Sequence, residues 1–381
     1  MIVAGEASGD AHGAALVRAL REAAPQIQIE FFGGTGAQMR AANVTSVVDT
    51  DKLAIVGLWE IASTLPKFWR AYRELKQAAR ARRPDAVILI DWPDFNLRLA
   101  RWLHRQGFRV IYYVSPQLWA WRSYRARSIS RNVDLLLSIL PFEKEWYARR
   151  KISQVEYVGH PLTGEVKARE DRDAFCRRHQ LDAARPIVVL LPGSRHNELQ
   201  RILPPMLDAA TIISKRDPQV QFLVVIAPNR NLAEAEQIIS ARSGSNAPGQ
   251  FRLIHHETRE ALAAADAAAV ASGTVTLEAA ILRIPMVIVY KESFLNWHLL
   301  GSLIDVDHYG LPNLIAGRRI VTELMQTELN GERLSTELTD LLNPERNRIT
   351  RDALQEVSEK LGAPGASRHA AEKILEFLKA N

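Results

Sequence analysis

The 381-residue sequence contains a single cysteine, Cys176, so an internal disulfide is excluded and a cysteine-based metal site has no ligands. A reducing compartment, the cytoplasm, is its natural setting. No stretch approaches the roughly 18 apolar residues of a membrane-spanning helix. The opening Met1-Ile-Val-Ala4 reads as a strand leading into a turn and a helix, not as a signal peptide. No HxE, CxxC or HExxH spacing suggests a metal, and none is expected. Gly5-Glu-Ala-Ser-Gly9 has the wrong spacing for a nucleophile elbow. There is no fixed-period repeat, low-complexity tract or long linker.

What is present suits a globular protein of two domains: 47% apolar and 24% charged residues. A formal charge of +6 favours an anionic partner: phosphates, nucleic acid or a membrane surface. The chain is organised around Ala86-Val-Ile-Leu-Ile-Asp-Trp-Pro-Asp-Phe-Asn96. Residues 86–90 are an unbroken aliphatic run, the mark of a strand buried on both faces of a parallel sheet. Pro93 ends it. Asp91 therefore sits at the carboxyl end of a strand, where open α/β sheets bind ligands. Partial desolvation there raises a carboxyl pKa and suits it to proton transfer. The competing reading is that Asp91 caps the helix beginning near Phe95.

The same grammar recurs along the chain. Met1–Ala4 leads into a glycine turn with Glu6 and Ser8, then a helix over 11–23. Residues 27–32 read as a strand ending in a Gly33-Gly-Thr-Gly36 turn. Residues 53–69 are unusually apolar, with Leu58, Trp59, Phe68 and Trp69 among them. Core packing or an interfacial patch above anionic lipid explains such a stretch. Residues 110–114, 135–140 and 155–158 read as strands, the last ending in Gly159-His-Pro161 with His160 as a possible base. Trp119, Trp121, Tyr124 and the arginines from Arg122 to Arg131 interleave rings and cations, a pattern that serves bases, sugars or anionic lipids.

A strongly charged segment over 164–185 marks the domain boundary, after which strands recur at 186–191, 222–227, 251–254, 265–271 and 285–290. Gly193, Ser194 and Arg195 follow the first of these. Ser272, Gly273 and Thr274 follow the fourth, with Glu278 one turn into a helix. Both turns offer N–H donors to phosphate, Arg195 adds a cationic fork, and Glu278 can accept ribose hydroxyls. The alternatives are a plain strand–Pro–Gly turn and a helix-capping segment. Residues 311–317 read as a loop whose Asn313 could face a ligand, and the remainder, 319–329 included, reads as helical.

Together these motifs resemble the lipid-A-disaccharide synthase family. The similar segments are Gly5–Asp10, Ile90–Asn96, Val114–Arg122, Pro141–Glu143, Gly159–Pro161, Leu190–Arg195, Ala271–Glu278 and Leu311–Gly317, in family order. Trp92 departs from the family, which often has a smaller residue there. The resemblance implies an α/β protein of two facing Rossmann-like, doubly wound parallel-sheet domains (the GT-B fold) with C-terminal helices. The domains would be 1–164 for the acceptor and lipid, 165–345 for the UDP-sugar, and 346–381 returning to the first domain or a partner subunit.

It further implies transfer of 2,3-diacylglucosamine from its UDP derivative to 2,3-diacylglucosamine 1-phosphate, without cofactor or metal. In that reading Asp91 and Glu6 are catalytic. Gly193, Ser194, Arg195, Ser272, Gly273, Thr274, Glu278 and Asn313 hold the UDP-sugar. Ser8, Trp119, Arg122, Leu58, Trp59, Phe68 and Trp69 lie on the acceptor or membrane side. The implied setting is the cytoplasmic face of the inner membrane, peripherally bound, with a homodimer possible and no nucleic acid. The rivals are a UDP-N-acetylglucosamine 2-epimerase on the same fold and a nucleic-acid-binding protein.

Overall fold

A computed structural model describes residues 1–53, 61–228, 230–243, 251–292 and 308–380. The chain divides into two units, Met1–Pro161 with Ala363–Asn381, and Leu162–Gly362. The crossings thus fall at 161/162 and 362/363, rather than at the expected 164/165 and 345/346. Helix Pro344–Lys360 stays in the second unit, with Leu354 and Val357 buried. Helix Ala366–Ala380 alone returns to the first.

Among the described residues, the first unit has a seven-stranded parallel sheet: β1 Ile2–Ala4, β2 Phe32–Thr35, β3 Thr45–Asp49, β4 Val87–Ile90, β5 Val110–Tyr113, β6 Leu135–Ser138 and β7 Val155–Tyr157. Its order is β3-β2-β1-β4-β5-β6-β7. Alternation in β4 explains its solid aliphatic sequence. Val87 and Leu89 enter the core on one face, while Ile88 and Ile90 enter the core on the other. Each such buried side chain contributes roughly 1.5–3 kcal/mol relative to exposure. Ala370, Ala371 and Ile374 of the last helix join the same core as Ile88 and Ile90.

β2 corrects the sequence expectation, because the glycine pair read as a turn is the strand itself. A Cβ on Gly33 would lie 1.8 Å from the Ile2 carbonyl oxygen, so this strand needs glycine to approach β1. β3 gave no recognisable pattern in the sequence, since it begins with two exposed residues.

The second unit has a six-stranded parallel sheet among the described residues: β8 Ile187–Leu191, β9 Gln221–Ile226, β10 Phe251–His255, β11 Ala267–Ala271, β12 Met286–Tyr290 and β13 Thr322–Met325, ordered β10-β9-β8-β11-β12-β13. Two expectations fail here. Residues 311–317 were expected to form a loop, yet Leu311–Ala316 is a helix, with Pro312 in its first turn and Gly317 just past its end. Thr322–Met325 was expected to be helical; it pairs with β12 and buries Leu324. Tertiary pairing overrides local helix preference there.

Candidate active site

In each sheet the strand order reverses once, and open α/β sheets hold ligands at that switch point. In the first unit it lies between β1 and β4, whose following residues include Glu6 and Asp91. Asp91 and Trp92 both adopt left-handed backbone conformations, with φ of 47° and 51°. For residues other than glycine this costs roughly 1–2 kcal/mol each. The surroundings hold the turn firmly. The Asp91 N–H donates to the Tyr113 carbonyl at 3.1 Å. Its own carbonyl accepts from the Tyr112 hydroxyl at 2.6 Å and from Asn96 Nδ2 at 2.8 Å.

The partly buried Asp91 carboxyl has its pKa raised to about 6. Burial is the main cause and the negative charge of Glu6 the second, opposed by a hydrogen bond from the Trp92 N–H. Helix Pro93–Arg105 begins after Trp92, which is its N-cap and makes no side-chain capping bond. Capping by Asp91 is therefore not what the structure contains. Glu6 and Ser8 are exposed, and Glu6 is the N-cap of helix Ala7–Ala23, which starts a turn earlier than expected. The motif's last residue, Asp10, serves the neighbouring helix: its buried carboxylate accepts from the amides of Gly36, Gln38 and Met39. His160 is buried too, and burial with the nearby His12 lowers its pKa to about 4.

The second unit's switch point lies between β8 and β11, so the turns 192–195 and 272–274 meet at one edge. Both line a cavity of about 820 Å³, along with Lys167, Arg169, Arg259 and Glu278. That volume is within the range of small-molecule sites. Two of the expected phosphate donors are already engaged. The amides of Ser194 and Arg195 donate to Glu198 Oε2 at 2.9 and 3.1 Å. The Gly193 turn, at φ 111°, passes so close that a Cβ there would lie 2.5 Å from the same oxygen. The Arg195 guanidinium meets Glu198 Oε1 at 3.1 Å but is 80% exposed. Ser272 also departs from expectation, because its amide extends the sheet ladder to Val289 at 2.9 Å. The Gly273 and Thr274 amides have no acceptor among the described residues. Glu278 is paired with Arg259 at 3.1 Å.

Three further expectations are corrected. Asn313 does not face a ligand. It is fully buried; Nδ2 donates to the Val321 carbonyl and Glu323, and Oδ1 accepts from the amides of Ile320 and Val321. Trp119 is a core residue, 8% exposed, whose Nε1 donates to Glu143 at 3.1 Å. It offers no stacking face to bases or sugars. Phe68 packs against the core near Trp92 and Phe95. Trp69, by contrast, is 63% exposed. Arg122 stacks on Trp121 at 3.9 Å and pairs with Asp94. Leu58 and Trp59 lie outside the described residues.

Sequence reasoning missed the supporting residues. Tyr112 looked like one more strand residue, and Asn96 like the end of a motif. Glu143 is buried and accepts from Trp119 and from the Leu140 amide; burial pushes its pKa up to about 8. Its motif was visible, but its partner 24 residues away was not. Nothing in the sequence pointed to Arg259.

Solved structures share this architecture at low identity. The glycotransferase of kitacinnamycin superposes with a TM-score of 0.65 at 13% identity, covering 98% of this chain and 97% of that one. The MnaA–UDP structure from S. aureus gives 0.65 at 13%, covering 100% and 97%. Two doubly wound parallel sheets of this kind are the GT-B fold. The sequence is more specific. The family model described as Lipid-A-disaccharide synthetase matches residues 1–377. The lipid-A-disaccharide synthase of Syntrophus aciditrophicus (strain SB) is 43% identical over 380 residues, covering 100% of this chain and 97% of that protein. That of Solibacter usitatus (strain Ellin6076) is 43% identical over 381 residues, covering 99% and 97%. The chain belongs to the lipid-A-disaccharide synthase family and is a hexosyltransferase. The family match favours this reading over an epimerase on the same fold.

Proposed function

We propose that the enzyme moves 2,3-diacylglucosamine from its UDP derivative to the 6-hydroxyl of 2,3-diacylglucosamine 1-phosphate, with Asp91 as the general base. The products are a β-1,6-linked disaccharide 1-phosphate and UDP. One observation carries the assignment: a carboxyl with pKa about 6, held on a left-handed turn at the switch point of the first sheet. Such a group is mostly ionised at neutral pH yet far more basic than an ordinary aspartate. It takes the proton of the acceptor hydroxyl as that oxygen bonds to the anomeric carbon. The bond from that carbon to UDP breaks on the opposite face, which inverts the centre. Glu6 keeps the base's pKa high and orients the acceptor.

The departing diphosphate carries the negative charge, and the cavity of the second unit supplies the counter-charge. Because Glu198 occupies the Ser194 and Arg195 amides, that task falls to the exposed Arg195 guanidinium and to the amides of Gly273 and Thr274. Glu278, one turn into its helix, accepts from the ribose. Both substrates carry acyl chains, which supports peripheral work at the cytoplasmic face of the inner membrane. Exposed Trp69, Trp121 and Tyr124 suit that setting. Trp69→Ser should then weaken co-sedimentation with anionic vesicles, and unchanged binding would remove Trp69 from the contact.

The test of the chemistry is UDP release from both acylated sugars in detergent. Asp91→Asn should lower turnover about a hundredfold or more and leave UDP affinity nearly unchanged. Near-normal turnover would take the base role away from Asp91.

A further inference from the structure

We infer that Tyr112 and Asn96 are positioning residues for the transfer reaction, clamping the Asp91 carbonyl so that its side chain is presented from a backbone conformation it would not otherwise keep. The inference rests on the reading of Asp91 as the base. Three separate elements converge on this one peptide group: β5 through Tyr112, the following helix through Asn96, and β4 itself. The Tyr112 side chain is fully buried, and its hydroxyl donates to the Asp91 carbonyl at 2.6 Å. Burial and the nearby Asp91 and Tyr147 keep that phenol protonated, and so a donor.

Asn96, fully buried as well, spreads its amide over two carbonyls, Asp91 at 2.8 Å and Ile90 at 3.1 Å. Both acceptor positions of the Asp91 oxygen are thus filled, and the turn cannot flip without breaking both bonds. The arrangement is costly. Asn96 Oδ1 is buried with no partner among the described residues, an acceptor left unpaired so that the NH2 end can reach the two carbonyls. A turn serving packing alone would be met more cheaply by glycine at 91, which tolerates the left-handed region freely. An aspartate there, restrained from two sides, is the signature of a group whose direction matters.

The charged and titratable groups acting on this assembly are Glu6 on Asp91, and Tyr147, Asp94 and Arg125 on Tyr112. None of them is altered by Tyr112→Phe, which keeps the ring and removes only the hydroxyl. In the UDP-release assay from pH 5 to 9, Tyr112→Phe should lower kcat about tenfold or more, since a slight misplacement of a reacting group is enough for that. KM for the UDP-sugar should stay within about twofold, because the donor is held by the other unit. The acid limb of the profile should move to lower pH as the released carboxylate gains water. Asn96→Ala, read in the same way, covers the case in which Tyr112→Phe does not fold.

A merely structural role would lower the melting temperature while leaving the acid limb in place. An unmoved limb with kcat within about twofold of the wild type therefore overturns the clamp. Asp91→Asn run alongside separates the two claims. If it is inactive while both clamp variants behave as wild type, only the clamp fails. If it turns over normally, the base reading fails and takes the clamp with it.

Discussion

The Trp92 indole lies against Gly5 so closely that a Cβ on Gly5 would sit 1.9 Å from the ring. The same indole stacks on Phe95, with centroids 4.0 Å apart and planes 10° from parallel. The loops that carry Glu6 and Asp91 are therefore packed on each other through one ring and one missing side chain. Gly5→Ala should cost about 1–3 kcal/mol by overpacking and reduce turnover by displacing Asp91. In a Trp92→Ala background the added cost of Gly5→Ala should fall to about 0.5 kcal/mol or less. Urea unfolding of the four proteins reads the coupling, and additive costs would contradict the contact.

The raised pKa of Asp91 gives the proposed base role a pH signature. A base must be in its carboxylate form, so that role predicts a fall in kcat/KM as pH drops through about 6. Glu6→Gln removes the second cause of the shift and leaves burial, the larger one. The acid limb should then move down without reaching an ordinary aspartate value. A limb that stays put or rises would mean that the Glu6 charge does not act on Asp91.

Arg195 and Asn313 should separate cleanly. Arg195→Ala removes an exposed cation from the cavity and should weaken UDP about tenfold or more. Asn313→Ala strips the partners from a buried network and should cost about 2–4 kcal/mol of stability. UDP affinity of the folded Asn313 variant, measured by calorimetry, should change by less than about threefold. A large loss of affinity at unchanged stability would return Asn313 to the ligand site.

Glu143 has an ordinary value of 4.5 and a folded value of about 8, so between those limits the native state binds the extra proton. Its contribution to stability is complete below 4.5 and is lost as pH rises through about 8. Glu143→Gln cannot titrate. Its melting temperature should decline less steeply than that of the wild type between pH 5 and pH 9. Parallel slopes for the two proteins would show that Glu143 titrates alike in folded and unfolded chains.

The legible parts of this fold were those whose cause is local. Strands such as β4, β8 and β11 announce themselves because burial on both faces leaves no room for polar residues. Asp91 could be found because Pro93 fixes where its strand stops. β2 and β13 were misread for the opposite reason: a close approach to β1 demands glycine, and a neighbour in the sheet turns Thr322–Met325 into a strand. The roles of Trp119 and Asn313 depended on Glu143 and Glu323, acceptors whose presence beside them only the folded chain reveals. The motif around Gly193 suggested free donors, and only the geometry reveals Glu198 already holding them.

The helix Ala366–Ala380 packs on helix Ala7–Ala23 and adds Ala370, Ala371 and Ile374 to the core on one side of the first sheet. During synthesis, then, the amino-terminal core lacks this last helix until residues 366–380 have left the ribosome. A stop codon near position 362 would leave the second unit whole and deny the first its last wall, although every residue of the Asp91 loop would still be present.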